Sequence, residues 1–290
     1  MIYSLLCFLA WGIADLFYKK ANNNKDKYSD LKTTVAVGII MGIHAFIFMI
    51  VKREGLDFMG AIKYLPISFC YILSMYIGYK GLKYIELSIS SPVQNTSGVI
   101  TSLLLILFFR EVLPFPAYIA FILIFVGIVG VSILEKKENR TVKINKKRSI
   151  LAIALPIVYC LIDGLGTFLD AVYIDKFEWI SEDAALVSYE LTFLLVAVIL
   201  IIFLKKKKQK ISVLNSKNMY TAAIFETVGQ FFYVYAIGAN STVATSIVGS
   251  YCILSMILSS IFLKEKLTIP KYAFLFIAII GIVILAFLDI

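Results

Sequence analysis

A chain of 290 residues that is 60% hydrophobic and only 16% charged departs from soluble domains, where about 45–50% and about 25% are usual. One globular core cannot hide so much apolar surface, so lipid is part of the solvent, and roughly 20 apolar residues per crossing leave material for many spans. The net charge of +9 does not indicate nucleic acid, because the basic residues fall in short runs between apolar stretches, at Lys19-Lys20, Lys146-Lys147-Arg148 and Lys205 to Lys208; such runs mark cytoplasmic loops beside anionic lipid.

In chain order, the first apolar run covers 2–18. It lacks a positive n-region and a small-residue cleavage site before Lys19-Lys20, so it reads as a span and not as a removable signal. Further spans follow at 33–51, 64–82, 86–109 and 114–134, then a basic stretch over 135–149. After it come 150–172, 183–204, 218–237, 241–263 and 269–288. These runs are too long and too evenly apolar for barrel strands, and backbone groups in lipid must pair within their own segment. The expected fold is therefore all-α, a polytopic membrane protein of ten transmembrane helices. Cys7, Cys70, Cys160 and Cys252 lie in apolar runs without metal or disulfide spacing, and the single His44 reads as a satisfied interior histidine. No motif calls for a metal or cofactor.

The two halves resemble each other. Residues 108–134 align without a gap on 262–288, with Phe108, Glu111, Leu113, Pro116, Tyr118, Gly127, Ile128, Val129 and Leu134 identical to their counterparts. Shared Ile and Val come cheaply in two apolar helices, whereas Glu, Pro, Tyr and Gly in register do not. The chain then divides into a five-helix repeat over 1–137, a basic linker over 138–149 and a second repeat over 150–290. An odd number of spans per repeat forces opposite orientations, the inverted-repeat plan of secondary transporters. With each Lys and Arg assigned to its nearest loop, 23 of the 28 follow odd-numbered helices and 5 follow even-numbered ones. The positive-inside rule then places both termini outside the cell membrane.

Arg110-Glu111-x-Leu113 and Lys264-Glu265-x-Leu267 each close an apolar helix, and each is followed by a proline and a Gly-containing apolar helix. This pattern resembles the G-E-x-L motif that closes the fourth and ninth helices of EamA-type members of the drug/metabolite transporter superfamily. Trp11-Gly12 resembles that family's first-helix W-G. The resemblance covers the whole chain and implies a metabolite transporter with two five-helix repeats. Two departures stand: Arg110 and Lys264 replace the usual Gly, and the family expectation of termini inside opposes the lysine count. Leu9 to Asp15 is similar, more faintly, to the first helix of small multidrug resistance transporters, which implies an embedded carboxylate that binds protons and cations in turn.

Ionisable groups deep in spans point to a site, since a charge at the bilayer centre costs at least about 2.5–3.5 kcal/mol. Asp15 and Asp163 lie at similar depth in equivalent helices 1 and 6, each with an aromatic residue, Trp11 or Tyr159, four residues earlier on the same face. Glu226, Gln230 and Tyr233 form a polar stripe on helix 8, whose matched positions in helix 3 include Tyr76 and Tyr79. Glu190 is a weaker candidate. Small residues around Ser91, Gly98, Thr245 and Gly249 suit close helix packing, while Gln94 and Asn95 suit packing or ligand contact equally.

The expected function is secondary transport of a cationic or zwitterionic metabolite, such as an amine or amino acid, with protons exchanged through these carboxylates, by a monomer or homodimer. Facilitative transport, or exchange of a neutral or anionic compound, is the alternative; the lack of midspan Arg or Lys disfavours an anion. An intramembrane aspartyl protease needs G-x-G-D, whereas Asp163-Gly164-Leu165-Gly166 reverses that order, so an enzyme is not expected. A scaffold would need neither a repeat nor midspan acids.

Overall fold

The computed structural model describes residues 1–22, 26–53, 55–84, 87–110, 112–139, 146–209, 216–265 and 267–288, and among them there is no strand. The helices are α1 (Ile2–Ala21), α2 (Ser29–Lys52), α3 (Phe58–Gly81), α4 (Leu87–Phe109), α5 (Phe115–Asn139), α6 (Lys146–Ala171), α7 (Glu182–Lys206), α8 (Lys217–Gly249), α9 (Cys252–Leu258) and α10 (Ile269–Phe287). Short π-helical segments extend α6 over Val172–Lys176 and α9 over Ser259–Leu263. Six stretches are long and apolar enough to cross a membrane: Ile2–Ala21, Ser29–Lys52, Phe58–Gly81, Ala154–Lys176, Glu182–Lys206 and Lys217–Leu263. The apolar parts of α4, α5 and α10 are shorter.

Local chemistry explains where the helices depart from the expected spans. α2 starts at Ser29 instead of residue 33 because its polar first turns are buried and satisfied: Thr33 Oγ1 donates to Ser29 O at 2.8 Å and Thr34 Oγ1 to Asp30 O at 2.9 Å. α3 starts at Phe58 because Asp57 caps it, accepting from Gly60 N at 3.0 Å. The expected spans 218–237 and 241–263 meet in one helical stretch whose backbone leaves helical geometry at Asn240. There Asn240 Oδ1 accepts from Val243 N at 3.1 Å and Asp175 Oδ2 from Ser241 N at 3.0 Å, which caps the restarted helix. The second of those spans is not one continuous helix, since a turn at Ser250 and Tyr251 separates α8 from α9. At the end of α8, Gly249 meets Gly98 of α4 so closely that a Cβ on Gly249 would lie 3.0 Å from Gly98 Cα.

Basic residues in the left-handed region end several helices: Arg53 (φ 58°), Arg110 (φ 53°), Lys208 (φ 54°) and Lys264 (φ 57°). Glycine reaches that conformation without steric cost, which gives a physical reason for Gly at the matching position of the motif. Arg and Lys adopt it here at a cost of about 1–2 kcal/mol, set against a favourable position for a cation beside the helix C-terminus. Glu265 Oε1 accepts from Leu87 N at 3.2 Å, so the second motif's glutamate tethers the start of α4. Glu111 of the first motif lies outside the described residues, as do 140–145 of the basic linker.

The helices pack as α1 on α8, α2 on α7, α3 on α6 and α5 on α10, with α4 against α6, α8 and α9. Large apolar side chains such as Ile47, Ile50, Phe108, Phe115, Ile122 and Phe276 point outward and are more than half exposed. In water such a surface would drive association; in a bilayer it is the lipid-facing side.

Candidate substrate site

α1, α3, α4, α6 and α8 surround a cavity of about 820 Å³ of empty space, counting the part open to solvent. Its lining includes Asp15, Asp163, Glu226, Trp11, Tyr159, Gln230, Tyr233, Tyr79, Gln94 and Asn95, together with Tyr251 and Tyr71. The chain thus gathers all but one of the expected site residues around a single space. The exception is Tyr76, which is half-buried outside this lining with Lys80 Nζ 5.9 Å from its ring centroid.

Two aspartates are each held by two serine hydroxyls from different helices. Asp15 Oδ2 accepts from Ser91 Oγ of α4 at 2.7 Å and from Ser255 Oγ of α9 at 2.8 Å. Asp163 accepts from Ser97 Oγ of α4 at 2.8 Å and from Ser74 Oγ of α3 at 3.3 Å. Hydroxyls orient a carboxylate without neutralising it, so each aspartate keeps its capacity for a cation. Glu226 accepts from Tyr18 Oη at 3.1 Å, and its backbone carbonyl accepts from Trp11 Nε1 at 3.3 Å. The indole seats against Gly229, where a Cβ would lie 2.2 Å from Trp11 Cδ1, so glycine is required for Trp11 to face the cavity.

Aromatic rings form one wall. Trp11 lies 5.2 Å from Tyr233 and 5.7 Å from Tyr251 between ring centroids. The Nε2 atoms of Gln94 and Gln230, both cavity-lining, are buried with no hydrogen-bond partner among the described residues. Buried polar groups are almost always paired, so these amides are donors that a ligand or water in the cavity would use. Among the described lining residues there is no Lys, Arg or His. The chemistry offered is carboxylates, amide donors and π faces, which suits a positively charged group.

The midspan glutamate Glu190 is separate from this space. It is fully buried and both its oxygens lie within 2.8–2.9 Å of His44 Nδ1, a hydrogen-bonded contact that joins α2 to α7. His44 is thereby satisfied as expected, but with its side chain 31% exposed it is not an interior residue. Lys83 likewise has a partner, Asp30 at 2.5 Å, with both side chains nearly buried.

The sequence matches the EamA-like transporter family over residues 1–133 and 151–287. The chain belongs to that family. A solved structure titled "Crystal structure of protein" aligns over 99% of this chain and 99% of its own, with a TM-score of 0.68 and 12% identity, a likeness of fold alone. No curated protein matches the sequence. As an EamA-like transporter, the chain is a multi-pass membrane protein that carries small solutes, and at the level of the family it is not an enzyme.

Sequence reasoning missed one acid of this EamA-like transporter. Asp170 on α6 is fully buried and accepts hydrogen bonds from Tyr64 Oη and, at 3.3 Å, from Tyr71 Oη. The available signal was its spacing of seven from Asp163, two helical turns along the same face. It fell near the end of the expected span, where an acid usually reaches the interface.

Proposed function

We propose that this transporter exchanges a small organic cation or zwitterion, of the amine or amino-acid class, for protons. One observation carries the reading: three carboxylates, Asp15, Asp163 and Glu226, share a cavity whose described lining holds no cationic side chain. A carboxyl in a partly wetted apolar site is neutralised more readily than in water, and an arriving cation favours the charged form. Cation binding then expels a proton, and proton return from the other side expels the cation. The Trp11, Tyr233 and Tyr251 faces add cation–π attraction, about 0.5–2 kcal/mol each.

The architecture belonging to this reading is ten transmembrane helices in two inverted five-helix repeats, 1–137 and 150–290, joined by the linker 138–149. The pattern of packed helices supports it. Exchanging α1 with α6 and α3 with α8 turns the α1–α8 contact into the α6–α3 contact, while α2–α7 and α5–α10 map onto themselves. The 47-residue stretch Lys217–Leu263 would be about 70 Å long as one straight helix at 1.5 Å per residue, and its break at Asn240 lets it serve as two crossings. The lysine distribution supports a cell-membrane protein with both termini outside. An impermeant label should therefore react with a C-terminal tag on intact cells; labelling only after permeabilisation would reverse the orientation. A pseudo-symmetric pair already supplies both halves of the site, so a monomer suffices.

The direct test is proton release from detergent-solubilised protein in weak buffer near neutral pH, on adding a panel of amines, quaternary ammoniums and amino acids. Release is expected with at least one compound, and should be lost in Asp15→Asn, Asp163→Asn or Glu226→Gln. A compound that binds by thermal shift without releasing protons would leave transport standing and remove the proton coupling.

A further inference from the structure

We propose that Asp170 is a further proton-binding carboxylate of the transport cycle, reached from the cavity through the hydroxyls of Tyr233 and Tyr71. The inference rests on the proton-coupled reading above. It adds a proton site distinct from the carboxylates that meet the cation.

Asp170 does not line the cavity. It lies on the α6 face of Asp163, about 10.5 Å further along the axis, with no exposed surface. The titratable groups facing it are tyrosines: Tyr64 and Tyr71 from α3, Tyr233 from α8 and Tyr189 from α7, with Asp163 on its own helix. Among the described residues no ion pair includes it. Buried acids that serve only structure are normally paired with a cation, as Asp30 is with Lys83. Asp170 has hydroxyls instead, and hydroxyls serve either charge state because each can donate or accept.

The hydroxyls form a chain. Tyr71 Oη is 3.3 Å from Asp170 Oδ2 and 2.6 Å from Tyr233 Oη, and both Tyr71 and Tyr233 line the cavity. With Asp170 ionised, Tyr233 donates to Tyr71 and Tyr71 donates to the carboxylate. A hydronium ion in the cavity then gives a proton to Tyr233 Oη as Tyr233 passes its own to Tyr71 and Tyr71 passes its own to Asp170. One O–H bond forms on the carboxyl, each tyrosine keeps one proton, and water is left behind. The chain then points the other way, with Asp170 donating to Tyr71 and Tyr71 to Tyr233, and no hydrogen bond along it is lost. Tyr233 also packs against Trp11 at a tilt, so a cation seated on that aromatic wall occupies the mouth of the relay. Occupancy of the cavity and proton access to Asp170 are thereby linked.

The test is infrared difference spectroscopy of the full-length protein in liposomes, stepped from about pH 9 to about pH 5, with no substrate added. Wild-type protein should gain a protonated-carboxyl band that Asp170→Asn lacks. Tyr71→Phe and Tyr233→Phe keep the rings and should keep the band, but its rise after a fast pH jump should slow on the order of tenfold or more. Tyr64→Phe, off the path, should shift the band in frequency without slowing it. The proposal is overturned if no part of the wild-type band is missing from Asp170→Asn, or if Tyr71→Phe responds as fast as wild type. Should Asp170→Asn not fold, the two Phe variants decide by rate alone. Because no cation is present, a failure here leaves exchange at Asp15 and Asp163 standing. A normal Asp170 band without cation-driven proton release sinks the exchange reading instead.

Discussion

Asp15→Asn should weaken binding of the transported cation by roughly 30- to 150-fold while leaving the protein folded. The size follows from losing a charge-assisted contact of about 2–3 kcal/mol, at 1.4 kcal/mol per tenfold. The fold should survive because Asn has nearly the shape of Asp, and its amide oxygen can accept from the hydroxyls of Ser91 and Ser255 that hold Oδ2 now. The amide also removes an uncompensated charge from the interior, so thermal stability should hold or rise. Ser91→Ala and Ser255→Ala each remove only an orienting hydroxyl and should cost less, about 0.5–1.5 kcal/mol of binding. Isothermal titration with the compound that releases protons, alongside melting curves, measures both halves of the claim. Equal affinity in Asp15→Asn and wild type would remove Asp15 from the site; lost affinity together with a collapsed melting temperature would make it a structural residue.

Asp15, Asp163 and Glu226 were legible in the sequence because ionisable residues are so costly in apolar runs that each stands out against its neighbours. The convergence of Asp15 and Asp163 was suggested by their similar depth in the equivalent helices 1 and 6; that of Glu226 was not. Glu190 stood out as a weaker candidate, yet its partner His44 lies 146 residues away, and sequence spacing gives no sign of a pairing between α2 and α7. Asp170 was hidden for the opposite reason, since its partners are tyrosines on α3, and interfacial belts make tyrosine an unremarkable residue in such a chain. Tyr76 was included through its match to Gln230, but the polar stripe of α8 is only partly repeated on α3, and the ring lies outside the cavity lining. The helices themselves were readable from apolar length. Their ends were not, because caps such as Asp57 and buried polar turns such as the start of α2 extend a helix beyond its apolar run.

Gly127→Ala and Gly281→Ala should each destabilise the protein by about 1–3 kcal/mol, the usual cost of forcing extra volume into a packed contact. Two glycines meet at the α5–α10 crossing in reciprocal positions. A Cβ on Gly127 would lie 2.7 Å from Phe274 O and 2.5 Å from Ala278 Cβ; one on Gly281 would lie 2.7 Å from Ala120 O and 2.8 Å from Ile124 Cγ1. Residues 120, 124 and 127 align with 274, 278 and 281 in the repeat, so each helix presents the same surface to the other. Backbone carbonyls cannot swing aside as a side-chain tip can, so the helices must separate. Lipid offers no hydrophobic gain to offset the lost packing, and higher helix propensity returns at most about 1 kcal/mol per alanine. Gly81→Ala is the control: its Cβ would meet only Leu155 Cβ at 3.6 Å, an ordinary contact, and stability should not fall. The double variant carries the sharper expectation. Once the first alanine has pushed α5 and α10 apart, the second finds the space already open, so the pair should cost less than the sum of the singles. Additive melting shifts would mean that the two glycines do not share one crossing, and stabilisation by either single substitution would mean that the close approach is not there.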